Sequence, residues 1–144
     1  MMNEEVRRIM TTDHLTVRPD QSVQEVTNLM LKNKLQQIPV VNEKNQLVGL
    51  VTSYDLWRNT KQGDLSFEQK VSEVMTSQVL SITPKDKVGT AAQLFADKRF
   101  KTLPVVNLRG ELKGIVTAFD VIRQAYLAEY PDPILYKDEF MKQP

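Results

Sequence analysis

The chain has 144 residues, a formal net charge of +1, 41% hydrophobic and 26% charged residues, no cysteine and one histidine. That length suits one compact domain or two small subdomains sharing a core, and the balance is globular rather than disordered. Disulfides, thiolate metal sites and multi-histidine clusters are excluded; no apolar run approaches the roughly 18 residues that span a bilayer, and no Lys/Arg concentration suited to nucleic-acid phosphates is present. Met1–Arg8 is charged and lacks the apolar centre of a signal peptide, so a cytoplasmic location without membrane or nucleic-acid partners is expected.

In chain order, His14 reads as an exposed turn residue and Leu15-Thr16-Val17 as a short strand that stops at Pro19. Asp20-Gln21-Ser22 offers capping side chains for a helix with Val23, Val26, Leu29 and Met30 on one face. Ile38–Val41 and Leu47–Val51 are apolar, β-branched runs joined by the polar turn 42–46, which predicts a hairpin. A short second helix starts near Thr52, and Asn59–Lys70, polar and containing Gly63, reads as a linker. The pattern then recurs. Val88, Ala91, Ala92 and Phe95 line a helix, and Leu103–Val106 and Leu112–Val116 flank the turn Leu108-Arg109-Gly110. A helix from near Thr117 runs to about Tyr130, where Pro131-Asp132-Pro133 stops it, and Ile134–Pro144 is left without an assigned place.

Sliding the chain by 65 positions lays Val6–Arg58 on Val71–Arg123 without a gap, with roughly a third of the positions identical. The identities fall where geometry and burial are most demanding. Met10-Thr11 matches Met75-Thr76, Pro19 matches Pro84, and Pro39-Val40-Val41-Asn42 matches Pro104-Val105-Val106-Asn107. Gly49, Val51, Thr52 and Asp55 match Gly114, Val116, Thr117 and Asp120. The expected fold is mixed α/β (α+β): two βαββα repeats packed with pseudo-two-fold symmetry, leaving two equivalent clefts between them. The divisions are 1–58 for the first repeat, 59–70 for the linker, 71–123 for the second repeat and 124–144 for a helical extension and tail.

Gly-x-Val-Thr-x-x-Asp ends a strand and opens a helix in each copy. A helix N-terminus presents free N–H groups and partial positive charge, which suits phosphate, and an aspartate can accept both ribose hydroxyls. Thr-x-x-Asp before an apolar run is also a capping box, in which the threonine caps the helix and the acid reaches back. Both readings are open, and one threonine can serve both.

The full order, strand–Pro, amphipathic helix, (Ile/Leu)-Pro-Val-Val-Asn, then Gly-x-Val-Thr-x-x-Asp, resembles the CBS domain, named after cystathionine β-synthase. Its tandem pairs, called Bateman modules, occur in AMP-activated kinase γ subunits, IMP dehydrogenases and small prokaryotic proteins. The resemblance covers about three quarters of the chain and implies a stand-alone, non-catalytic module binding AMP, ADP, ATP or another adenosine derivative, with no required cofactor and no metal. In the family, Gly-x-x-Thr-x-x-Asp of one repeat faces the first strand and its approach from the other. Carried over, cleft A contains Thr117, Asp120, Thr11 and Thr16, and cleft B contains Thr52, Asp55, Thr76 and Ser81. Adenine would lie near Leu35 in cleft A and Phe100 in cleft B. The basic residue that the family often sets before the (Ile/Leu)-Pro step has its place at Lys101 in copy two, whereas copy one has Gln36 there. Cleft A is therefore expected to hold charged nucleotides more tightly. Arg58 and Arg123 recur at matched positions; they could reach phosphate but read first as solvated helix faces, and Tyr54 and Trp57 read as packing or dimer contacts.

The resemblance points to a sensor that signals by a conformational or oligomeric change, as a homodimer and to a regulated partner. The alternative is an interaction module without ligands, discriminated by whether Asp55 and Asp120 face open clefts or only cap helices. A hydrolase or transferase lacks a nucleophile–base pair, a metal cluster and a phosphate-cradling glycine loop in the sequence.

Overall fold

The computed structural model describes residues 1–61 and 68–130. Each copy contributes one amphipathic helix, one hairpin and one C-terminal helix. In copy one these are α1 (Val23–Asn33), β1 (Gln37–Val41), β2 (Leu47–Thr52) and α2 (Ser53–Lys61). In copy two, a single-turn helix α3 (Val71–Val74) precedes α4 (Val88–Lys98), β3 (Thr102–Val106), β4 (Leu112–Thr117) and α5 (Ala118–Glu129). A 3-10 turn at Val6–Arg8 occupies the place of α3 in copy one.

The local chemistry is as the sequence reads. The Ser22 hydroxyl caps α1 by accepting from the Glu25 N–H, and Val23, Val26 and Met30 are buried on one face. Both hairpins are antiparallel with a register shift at the second valine of Pro-Val-Val, between Val40 and Val41 and between Val105 and Val106. The asparagine that follows explains itself. Asn42 Oδ1 accepts from the backbone N–H groups of Lys44 and Gln46, and Asn107 Oδ1 does the same for Arg109 and Glu111. The two turns also meet: Gln46 and Glu111 form a bridge, and Leu47 N–H donates to the Gly110 carbonyl at 2.9 Å while Leu112 N–H donates to that of Asn45 at 2.9 Å.

Two expectations change in detail. The strand expected at Leu15-Thr16-Val17 reduces to a single parallel bridge of Val17 with Val40, mirrored by Ile82 with Val105. Val17 N–H donates to the Pro39 carbonyl and Val41 N–H to that of Val17; Pro39 has no N–H to extend the ladder. Helix α2 runs to Lys61, into the segment read as linker. Residues 62–67, with Gly63, and residues 131–144, with the expected stop at Pro131-Asp132-Pro133, lie outside the described residues. Helix α5 closes at Tyr130, whose N–H donates to the Tyr126 carbonyl.

The segments leading into each repeat are exchanged. Thr11 pairs with Ile115 on β4 through reciprocal N–H···O=C bonds of 2.8 and 2.9 Å, and Thr76 pairs with Leu50 on β2 through bonds of 2.9 and 2.8 Å. Upstream, Val6 donates to Asp86 and Val88 to Glu4, while Val71 donates to Gln21 and Val23 to Gln69. Each core is completed by the other copy's lead-in. Val17, Val23, Val26, Met30, Ile38, Val40 and Val51 of copy one pack with Val71 and Val74. Val88, Ala91, Phe95, Leu103, Val105, Val116 and Val121 of copy two pack with Val6. Burying each of the larger of these side chains, from valine upward, is worth about 1.5–3 kcal/mol. The crossing also accounts for two matched glycines. A Cβ on Gly49 would stand 2.9 Å from the Thr76 carbonyl oxygen and 2.5 Å from Met75 Sδ, and one on Gly114 would stand 2.9 Å from both the Thr11 oxygen and Met10 Sδ. Met-Thr and Gly recur together because they touch.

Candidate functional site

The exchange places Thr11 beside the strand that ends at Thr117, and Thr76 beside the one that ends at Thr52. This is the cross-repeat pairing from which both clefts were expected. In each, the strand runs directly into a helix whose first turn carries the aspartate.

Both aspartates form capping boxes. Asp120 Oδ2 accepts from the Thr117 N–H at 2.8 Å while Thr117 Oγ1 accepts from the Asp120 N–H at 3.1 Å. Thr52 and Asp55 repeat this at 3.1 and 3.0 Å. Capping is thus one role of both residues, and it uses only one carboxylate oxygen.

The other oxygen distinguishes the copies. Asp55 is 4% exposed, the one buried charged residue among those described. Thr76 Oγ1 stands 3.3 Å from Asp55 Oδ1 and 3.4 Å from Oδ2, within reach to donate to either. The Arg58 guanidinium lies 3.7 Å from Oδ1. Asp120 is half-buried, and among the described residues its Oδ1 has no hydrogen-bond or ion-pair partner, although Thr11 and Arg123 stand at the matched positions. Arg58 is exposed, as its place on a solvated helix face predicts, and it also pairs with Asp55; the signal for that pair is the i,i+3 spacing.

The remaining candidates surround these groups without bonding to them. The carbonyl of Lys101 accepts from the Ala118 N–H at 3.3 Å and that of Gln36 from the Ser53 N–H at 2.8 Å, so each residue abuts the start of its repeat's second helix with an exposed side chain. Thr16 is exposed and Ser81 half-buried, both next to the residues that bridge to β1 and β3. Leu35 is half-buried against the copy-one core and Phe100 is exposed. Among the described residues, no hydrogen bond or ion pair joins the side chains of Thr16, Ser81, Gln36 or Lys101 to either aspartate. No group of His, Asp and Glu suited to a metal ion occurs among the described residues, and no described helix is long and apolar enough to cross a membrane. A groove lined by Arg18, Asp20, Glu43 and Lys44 sits at the turn of the first hairpin and shares no residue with either cleft.

The family model for the CBS domain matches residues 6–56 and 71–126. The chain belongs to the CBS-domain family. This CBS pair is 35% identical over 116 residues to the CBS domain-containing protein YhcV of Bacillus subtilis, covering 81% of each chain. It is 34% identical over 143 residues to the inosine-5'-monophosphate dehydrogenase of Aquifex aeolicus, covering 94% of this chain but only 28% of that one. Among solved structures, CBSX2 of Arabidopsis thaliana in complex with AMP superposes with a TM-score of 0.79 at 30% identity, covering 88% of this chain and 98% of that one. The CBS pair of protein MJ0100 in complex with 5'-methylthioadenosine and S-adenosyl-L-methionine gives 0.74 at 26%, covering 84% and 94%. The pair thus shares its fold with proteins crystallised with adenosine derivatives.

Proposed function

We propose that this CBS pair is a regulatory module that binds an adenosine nucleotide in cleft A and signals by a change in conformation or assembly. The observation that carries the reading is the state of Asp120: anchored by one oxygen at the N-terminus of α5, with the other unengaged among the described residues. In this reading Asp120 Oδ1 accepts from the ribose hydroxyls, and the partial positive charge at the N-terminus of α5 faces phosphate. Lys101 adds a cation that Gln36 of cleft B does not supply. The Thr11 lead-in forms the opposite wall, so a bound nucleotide bridges the two repeats, and only a ligand that prefers one arrangement transmits a signal. AMP is the first ligand to try, because the CBSX2 complex combines close structural likeness with that nucleotide.

The outward faces of α2 and α5 suit a homodimer as the readout. Tyr54 and Trp57 on α2 and the matched Phe119 and Ile122 on α5 are exposed, from 57% for Trp57 to 81% for Phe119. Ile122→Glu is expected to shift the protein from dimer to monomer in sedimentation.

Thermal unfolding against AMP, ADP, ATP, S-adenosylmethionine and 5'-methylthioadenosine tests the nucleotide reading. A ligand at about 100 times its Kd adds roughly 2.7 kcal/mol, a rise of about 5–10 °C for a chain this size. A rise that Asp120→Asn removes supports it; this variant keeps an oxygen for the Thr117 N–H while losing the charge. No rise with any ligand at millimolar concentration shifts the conclusion to an interaction module, a reading that the buried Asp55 favours at cleft B.

A further inference from the structure

The two clefts carry the same threonine, aspartate and arginine at matched positions, yet only copy one draws them together. We infer that Asp55, Thr76 and Arg58 form a brace that closes cleft B, so that the chain takes one nucleotide, in cleft A, and its second cleft is a permanent clasp between the repeats. The inference rests on the nucleotide reading for its stoichiometry, but the brace itself does not.

A carboxylate buried to 4% exposure has lost most of its water, and that loss is tolerable only when donors replace it. Here they do: the Thr52 N–H and the Thr76 hydroxyl reach Asp55, and the half-exposed Arg58 guanidinium adds a positive charge 3.7 Å away. A ribose entering cleft B would have to displace Thr76 and compete with a cation only one helical turn away on α2. Thr76 belongs to the lead-in of copy two and Asp55 to the second helix of copy one, so this contact ties the repeats together without a ligand. In cleft A, Thr11 and Asp120 hold the same chain positions, and the tie is missing among the described residues. A nucleotide bound to Asp120 then supplies there what Thr76 already supplies opposite. Both sides keep their backbone bonds, and the added side-chain tie comes from the protein on one side and from the ligand on the other.

Three measurements on the full chain test this. Calorimetric titration with AMP is expected to give one equivalent per chain, abolished by Asp120→Asn; two equivalents, or a single equivalent that survives Asp120→Asn and is lost in Asp55→Asn, overturns the inference. Without ligand, amide exchange of the wild-type protein is expected to be at least about tenfold slower at Thr76 and Leu50 than at Thr11 and Ile115; equal protection overturns it. A double-mutant cycle of Asp55→Ala with Thr76→Val is expected to depart from additivity by about five- to tenfold in the unfolding constant, and Asp120→Ala with Thr11→Val by less than twofold; additivity in the first cycle overturns it. If no AMP binds at all, the nucleotide reading fails on its own, and the brace is decided by exchange and the cycle.

Discussion

Copy one and copy two share their motif residues, register and capping boxes, and differ in what the second carboxylate oxygen does. Asp55 is buried under Thr76 and Arg58, whereas Asp120 keeps an oxygen that no described residue engages. Identity at aligned positions therefore fixes which groups can meet, and unmatched neighbours decide whether they do. Helix α2 carries Leu56, half-buried, where α5 carries the buried Val121, and the helices differ in length, Ser53–Lys61 against Ala118–Glu129.

The largest effect expected from this difference is on binding. Asp120→Asn should weaken AMP affinity by about 10- to 150-fold, the loss of charge-assisted hydrogen bonds at about 1.5–3 kcal/mol, and titration of Asp55→Asn alongside it should show a change of less than about threefold. Comparable losses in both would make the clefts equivalent. Next come the crossing points. Gly49→Ala and Gly114→Ala should each lose about 1–3 kcal/mol in denaturant unfolding, because a Cβ meets backbone oxygen and methionine sulfur in a packed site. Gly49→Ala should be the worse, since its sulfur contact is the shorter, 2.5 against 2.9 Å.

A smaller effect separates Lys101 from Gln36. Lys101→Gln should lower affinity for AMP by about two- to fivefold, on the scale of an exposed ion pair, leave adenosine binding unchanged, and fade with added salt. The smallest concerns the turns, where Gln46 faces Glu111. The hydrogen bond from Asn107 Nδ2, helped by Lys113 and Arg109, holds the Glu111 carboxyl below its usual range. A lowered folded-state pKa gives stability that is present above the unfolded pKa and disappears as pH falls through the folded one. Unfolding followed from neutral to acid pH should therefore show a slightly shallower acid-side loss in Glu111→Gln than in the wild-type protein.

Much of this was legible in the residues. Hairpins, helix faces and the Thr-x-x-Asp turns follow from alternation, 3.6-residue spacing and capping chemistry, all local. The 65-residue offset also pointed to paired clefts. What it could not carry was the exchange of the lead-ins, since a self-match is silent on whether Val6 packs with its own copy or the other. The short strand at Leu15–Val17 was overread because β-branched composition does not show that its neighbour is Pro39, with no N–H to give. Arg58 and Arg123 are both exposed, as their positions read, and what the sequence does not carry is that Arg58 also pairs with its aspartate.

The exchanged lead-ins also bear on how such a molecule can arise. A polypeptide holding a single repeat has an unfilled slot in its core and a segment whose valine belongs in someone else's. Two copies of that polypeptide satisfy each other, by the same contacts that here join Val6 to the second core and Val71 to the first. Tandem duplication then requires no new packing. It converts an encounter between separate molecules into one within a single chain, at an effective concentration of the order of millimolar, and from that moment the two halves are free to diverge, as the surroundings of Asp55 and Asp120 have.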